Sequence, residues 1–171
     1  SRNISINNLQ EKIKINQFPL TDKENKYLNL KESRFQEGSA SNTFGENFNF
    51  EGKDFNPKNE YSVYGTSINF LIRNNILEIP DYIKIDVDGI EHLILDGGSE
   101  YLSNDKIKSI SVEINENFKN QFDLVQQLMR KNQFTFKNKN QGHDNPNRNV
   151  DNLNTYNYIF DKKPIKRIKT K

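Results

Sequence analysis

Cysteine is absent from the 171 residues. That excludes disulfides and cysteine-based zinc sites, and it suits a reducing compartment, with the cytoplasm as the expected location. Long apolar runs are also absent. None approaches the roughly 18 residues that cross a bilayer, and Ser1-Arg2-Asn3-Ile4-Ser5-Ile6 lacks the apolar heart of a signal peptide. A strong charge of either sign is missing too. With 25 Lys and Arg against 23 Asp and Glu, a net charge of +2, the body of the chain offers no electrostatic case for nucleic acid or an anionic membrane. The chain begins with Ser rather than Met, so it is expected to be a piece of a longer protein.

Hydrophobic residues make up 33% of the chain, low for a globular protein. The 12 Phe and 7 Tyr offset this in part, because each aromatic ring buries a large area. The length suits one domain with a core and is short for two. Asn is spread along the whole chain, which codon or genome bias explains better than function.

Apolar periodicity sets the expected elements. Residues 1–11 read as the last turns of a helix. Residues 12–20 (KIKINQFPL) alternate Ile13 and Ile15, then Phe18 and Leu20, as in a strand. A turn over 21–25 leads to a second strand at 26–31. Residues 33–60 are polar, with scattered Phe and Gly and no helical period; a loop of that length is usually functional or mobile. Residues 61–66 form a short strand. The spacing of Ile68, Leu71, Ile72 and Ile76 predicts a helix over 67–77, capped by Ser67 or Thr66. After Pro80-Asp81, residues 82–87 make a strand with Ile83, Ile85 and Val87 on one side. Asp88-Gly89 turns the chain into a helix over 90–96 that stops at Gly97-Gly98. A strand over 107–114 and an amphipathic helix over 118–131 follow. Phe134-Thr135-Phe136 opens another strand, 137–152 is a connecting loop and 155–160 is the last strand. The tail from Lys162 carries six Lys or Arg and is expected to be loose. The domain is thus placed at 1–161, with the basic tail at 162–171. Strands alternating with helices over 61–131 argue for a mostly parallel α/β sheet with an antiparallel edge strand.

In such sheets ligands bind beyond the carboxyl ends of the strands, and two of those ends carry acid. One is Asp86-Val87-Asp88-Gly89, followed by Glu91; the other is Val112-Glu113-Ile114-Asn115-Glu116. If the two strands are neighbours, their carboxylates share one rim, where they can hold a cation, take hydroxyl protons or bind an ammonium group. The plainer readings stand beside this one. Asp88-Gly89 is also ordinary turn chemistry, and Glu91 also favours a helix start through the dipole. The Asp-x-Asp-Gly string is similar to a calcium loop, but the third liganding position and the spaced Glu are lacking. His92 is a candidate general base, with a surface or packing role as the favoured reading. His143 lies in an Asn-rich loop and receives no role. The basic tail reads as a solvated terminus.

Residues 80–98, PDYIKIDVDGIEHLILDGG, resemble the signature of the FkbM-type methyltransferases. In that family a strand reading Lys-Ile-Asp-Val-(Asp/Glu)-Gly runs into a helix containing Glu and ends near Gly. Ser109-Ile110-Ser111-Val112-Glu113-Ile114-Asn115 resembles the family's next strand, which closes on Glu, and the helix over 67–77 fits the helix before the signature. Phe18-Pro19-Leu20-Thr21-Asp22 is similar to the family's Ala-Leu-Ser-Asp segment, and Gly38-Ser39-Ala40-Ser41 to a Gly/Ser loop. The resemblance covers about residues 3 to 160.

The resemblance implies a Rossmann-like fold that uses S-adenosylmethionine, usually to methylate a hydroxyl of a sugar or natural product. Carried over, Asp86 and Glu113 are the candidate catalytic acids, and Asp86, Asp88 and Phe18 are candidates for cofactor contact. Glu91, His92, Ser39 and Ser41 are placed at the substrate rim. No metal is implied. The partner is a small-molecule or glycan acceptor, not nucleic acid or membrane, and a homo-oligomer is left open. One departure stands out: no Gly-rich turn follows an early apolar strand, and no second early strand ends in the acid that would bind ribose hydroxyls. The expectation is therefore an incomplete domain without its first two strands, which belong between 12–20 and 82–87. A non-catalytic module of the same fold, or a metal-dependent enzyme using Asp86, Asp88 and Glu113, are the alternatives.

Overall fold

A computed structural model describes residues 2–34, 36, 42–141 and 154–162. The elements run α1 (Arg2–Ile6), β1 (Lys26–Glu32), β2 (Thr43–Phe44), β3 (Asn59–Gly65), α2 (Ile68–Arg73), β4 (Tyr82–Ile85), α3 (Glu91–Asp96), β5 (Ser109–Asn115), α4 (Lys119–Lys131), β6 (Phe134–Asn140) and β7 (Thr155–Lys162). The strands form two sheets, ordered β2-β1-β3 and β4-β5-β7-β6.

β5 is the axis of the larger sheet. Its alternation sends Ile110, Val112 and Ile114 into the core, each 0% exposed. Register carries that face across the sheet, with Ile83 and Ile85 beside Ile110 and Val112 on one flank, and Tyr156, Tyr158 and Phe160 beside Ile114, Val112 and Ile110 on the other. α3 and α4 contact each other and β5, and α4 also reaches β6. Val125 and Met129 of α4 join the same core. The opposite face carries Tyr82, Lys84, Ser109, Ser111 and Glu113, and it is solvent-facing at Tyr82, which is 68% exposed. The smaller sheet leans on the core through Phe44, Leu28, Leu30 and Val63.

The α/β class holds; the mostly parallel sheet does not. The smaller sheet is wholly antiparallel, and in the larger one β4 and β5 alone run parallel. β3 joins β1 over seven residue pairs, from Lys26↔Gly65 to Glu32↔Asn59. Its outer face is polar, which suits an antiparallel ribbon wet on one side; periodicity alone does not name a strand's partner. The antiparallel strand expected at an edge is β7, which lies inside the sheet between β5 and β6. β6 is the edge and runs on to Asn140, where a loop was expected. Its exposed Lys and Asn residues carry no apolar alternation, and such charged edges discourage stray pairing.

Residues 12–20 form no strand. Ile13 and Ile15 are 41% and 53% exposed, and Leu20 makes a single parallel bridge to Thr66. Alternation makes a strand only where a neighbour completes the ladder. The expected first helix is confined to Arg2–Ile6 and buries nothing. Ser67 caps α2 by accepting from the Phe70 N–H at 3.1 Å, and that helix ends at Arg73. Asn75 then takes φ +59°, which turns Ile76 to solvent at 51% exposure. Where a loop without regular structure was expected, residues 43–44 form β2, which pairs with Leu30 and Lys31. Gly97 follows α3 in ordinary right-handed geometry. Its lack of a side chain matters for proximity instead, because a Cβ there would lie 2.2 Å from the Thr21 carbonyl oxygen. Ser39, Ser41, His143 and the tail beyond Lys162 lie outside the described residues. Among the described residues no helix is long and apolar enough to cross a membrane.

Ile110→Ala leaves a cavity at the centre of β5 and is expected to cost about 2–5 kcal/mol, whereas Ile76→Ala stays within about 0.5 kcal/mol. Urea denaturation of both variants checks the contrast.

Candidate functional site

The parallel register Ile85↔Val112 sets the carboxyl ends of β4 and β5 side by side. Asp86 follows β4 on the solvent-facing side and accepts a hydrogen bond from Lys84 Nζ. That bond is the main reason the Lys84 ammonium is held above its usual range, with Glu113 adding a smaller electrostatic contribution. Lys84, Asp86 and Glu113 therefore share one open polar corner. Val87, expected on the inward side with Ile85, lies beyond the end of β4 and is 36% exposed.

Asp88 accepts from the Asn42 N–H at 3.2 Å. Gly89 takes φ +106°, and a Cβ there would sit 2.7 Å from Phe50 Cα. Glycine meets both demands, the positive φ and the close approach. The loop carrying Phe50 thus rests directly on the turn after β4. The same loop reaches β5, since Asn115 Nδ2 donates to the Phe50 carbonyl at 3.3 Å.

Glu91 points inward. It is 1% exposed; its Oε1 accepts from the Val87 and Gly89 N–H groups at 3.2 and 3.4 Å, and its Oε2 accepts from Gln121 of α4. Burial pushes its carboxyl up to about 8, against the opposing pull of these backbone donors, with a further rise from Glu113. His92 is buried as well, at 4% exposed. It stacks on Phe48 at 6.1 Å and meets Phe118 edge-on at 5.7 Å. Burial lowers its pKa and so favours the neutral ring, and among the described residues its Nδ1 has no hydrogen-bond partner. Glu91 and His92, two of the four residues placed at the substrate rim, are thus interior, on the helix side of the sheet.

Phe18 stands on the wall of a groove of about 590 Å³ that also includes Asp86, Ile68, Ile83 and Ile85. This groove follows the edge of β4 that no described strand pairs. Phe18 and Asp86 thus line one groove, Glu113 acts on the Lys84 that Asp86 binds, and Glu91 and His92 are buried. Among the described residues, no group of three or more His, Asp or Glu side chains is arranged to hold a metal ion.

Two contributors were missed in the sequence, Gln121 and Asn115. Gln121 is 1% exposed and its Oε1 accepts from the Asn115 N–H at 3.2 Å. A signal existed: Gln121 falls on the inner stripe of α4 between Phe118 and Val125, where a polar residue requires a buried partner.

The family model described as Methyltransferase FkbM domain matches residues 1–136. No curated protein and no solved structure matches the chain.

Glu91 gives a signed pH dependence. Its folded pKa is raised, so from about 4.5 to about 8 the native state holds a proton that the unfolded chain has released. Stability is expected to fall as pH rises through that window, by at most about 1.4 kcal/mol per unit, and to level off above it. Melting temperatures from pH 5 to 8 should slope downward in the wild type and flatten in Glu91→Gln; an equal slope in both would assign the titration elsewhere. Gly89→Ala is expected to cost more than the roughly 1 kcal/mol of positive-φ strain alone, because Phe50 must also move, and chemical denaturation measures the loss.

Proposed function

Since the chain belongs to the FkbM methyltransferase domain family, we propose that it is the acceptor-side portion of an S-adenosylmethionine-dependent methyltransferase acting on a hydroxyl of a sugar or natural product. The observation that carries this reading is the parallel β4–β5 pair, whose aligned carboxyl ends set Asp86 and Glu113 on one open corner. Methyl transfer to oxygen needs a positioned acceptor and a destination for its proton. The two carboxylates are suited to orient the hydroxyl and take that proton, and Lys84 beside them balances their charge.

The described residues do not by themselves fit the cofactor. The groove at β4 supplies apolar walls and one carboxylate. Among the described elements, however, no strand runs into a Gly-rich turn that would offer converging backbone N–H groups, and no neighbouring strand end supplies an acid for the ribose. The edge of β4 that no described strand pairs, with Phe18, Pro19 and Leu20 lining its groove, supports an extended, Rossmann-like sheet. In this reading the cofactor strands come from a segment outside these residues and dock along that groove. The absence of cysteine agrees with a reducing, cytoplasmic setting.

Titration calorimetry of the 171-residue chain with S-adenosylmethionine is expected to show no micromolar binding; a micromolar Kd would overturn the incomplete-domain reading. In a longer gene product that binds the cofactor, Asp86→Asn and Glu113→Gln are the informative variants. Loss of the general base lowers the methylation rate about 10²–10⁴-fold, with cofactor affinity retained in Glu113→Gln. Unchanged rates in both variants would remove the two acids from the chemistry.

A further inference from the structure

The loop bearing Phe48, Phe50 and Gly52 is seated across both strand ends at once. Phe50 lies on Gly89 after β4 and accepts from Asn115 at the end of β5. Phe48 packs on His92 and Phe118, and a Cβ on Gly52 would lie 2.4 Å from the Phe118 ring. The loop is internally tied as well, with the Asn49 N–H on the Lys53 carbonyl and the Phe55 N–H on the Asn47 carbonyl, both at 2.8 Å. It closes the helix side of the rim, while the Lys84–Asp86–Glu113 corner stays open.

One buried side chain joins the parts beneath it. The Asn115 N–H donates to Gln121 Oε1, which fixes the direction of the Gln121 amide, so its NH₂ must face Glu91. An amide is the side chain that accepts at one end and donates at the other. A carboxylate in its place has no N–H to offer Glu91 and meets a like charge once Glu91 loses its proton, and an apolar side chain would leave the Asn115 N–H and one Glu91 oxygen unsatisfied in the interior.

We propose that Gln121 is a positioning residue for the rim: it locks the end of β5 to Glu91 and to the turn after β4, and so holds the strand end from which Asn115 grips the Phe50 loop. The loop then forms a fixed wall, and a ligand reaches the rim from the Asp86 and Glu113 side. The lock stands on the contacts alone; its role as the wall of an acceptor site rests on the methyltransferase reading.

Hydrogen–deuterium exchange on the chain as it is separates these points, since it needs neither cofactor nor acceptor. Gln121→Met keeps the volume and removes both hydrogen bonds. It is expected to speed exchange at the Asn49, Gly52 and Phe55 amides at least tenfold, with the Val112 amide changing only as far as global stability does. Asn115→Ala leaves Gln121 on Glu91 and should free the same loop amides, and it remains decisive if the Met variant does not fold. Gln121→Glu is the conservative test. Near pH 5 a proton shared with Glu91 restores the lock and the loop protection; near pH 8 both are lost, a pH response that a space-filling role does not produce. Loop exchange unchanged in Gln121→Met, or in Asn115→Ala, would overturn the proposal, as would a Gln121→Glu loop indifferent to pH. A longer gene product that binds the cofactor yet methylates no hydroxyl, with these exchange patterns intact, would count against the functional reading and leave the lock standing.

Discussion

A carboxyl group removed from water sets the terms for the candidate site. Glu91 begins α3, yet its side chain turns back beneath the strand end and collects the Val87 and Gly89 N–H groups together with the Gln121 amide. Without these donors the buried acid would be very costly. With them it specifies the turn after β4, the start of α3 and the depth at which α4 lies. The Asp88-Gly89 turn therefore has two causes: glycine permits the backbone angle, and Glu91 satisfies the donors that the turn leaves over.

Much of this architecture was legible in the residues. β4, α3, β5 and α4 follow their apolar periods closely, because each has a buried face that fills one core. The rim acids were legible for the same reason, since a strand's carboxyl end can be read from where its alternation stops. Other features depend on partners that a local pattern does not name. β3 has the same alternation whether its neighbour is parallel or antiparallel, and Ile13 and Ile15 alternate without becoming a strand. β6 is held by β7 rather than by its own apolar content. Glu91 and His92 were placed at the rim, and the loop and α4 packed against them are what make them interior.

The open corner and the closed side are two halves of one design. On the helix side, aromatic rings and hydrogen bonds leave little room. On the other side Lys84, Asp86 and Glu113 meet solvent, next to a groove whose strand edge is paired by no described strand. Rigidity and access are separated across a single sheet, so the acids can face a ligand while their backbone is held from behind.

The position of β7 bears on how the chain assembles during synthesis. β5, the most deeply buried strand, gets its second neighbour from residues some forty positions downstream, with Asn115 opposite Thr155. As the chain leaves the ribosome, β5 must wait with one flank bare until the closing hairpin emerges, an interval in which it is exposed to wrong pairing. The same geometry argues against trimming an expressed fragment at residue 136, where the family match ends. Such a cut would delete an interior strand of the sheet, and a soluble product is better sought with Lys162 retained.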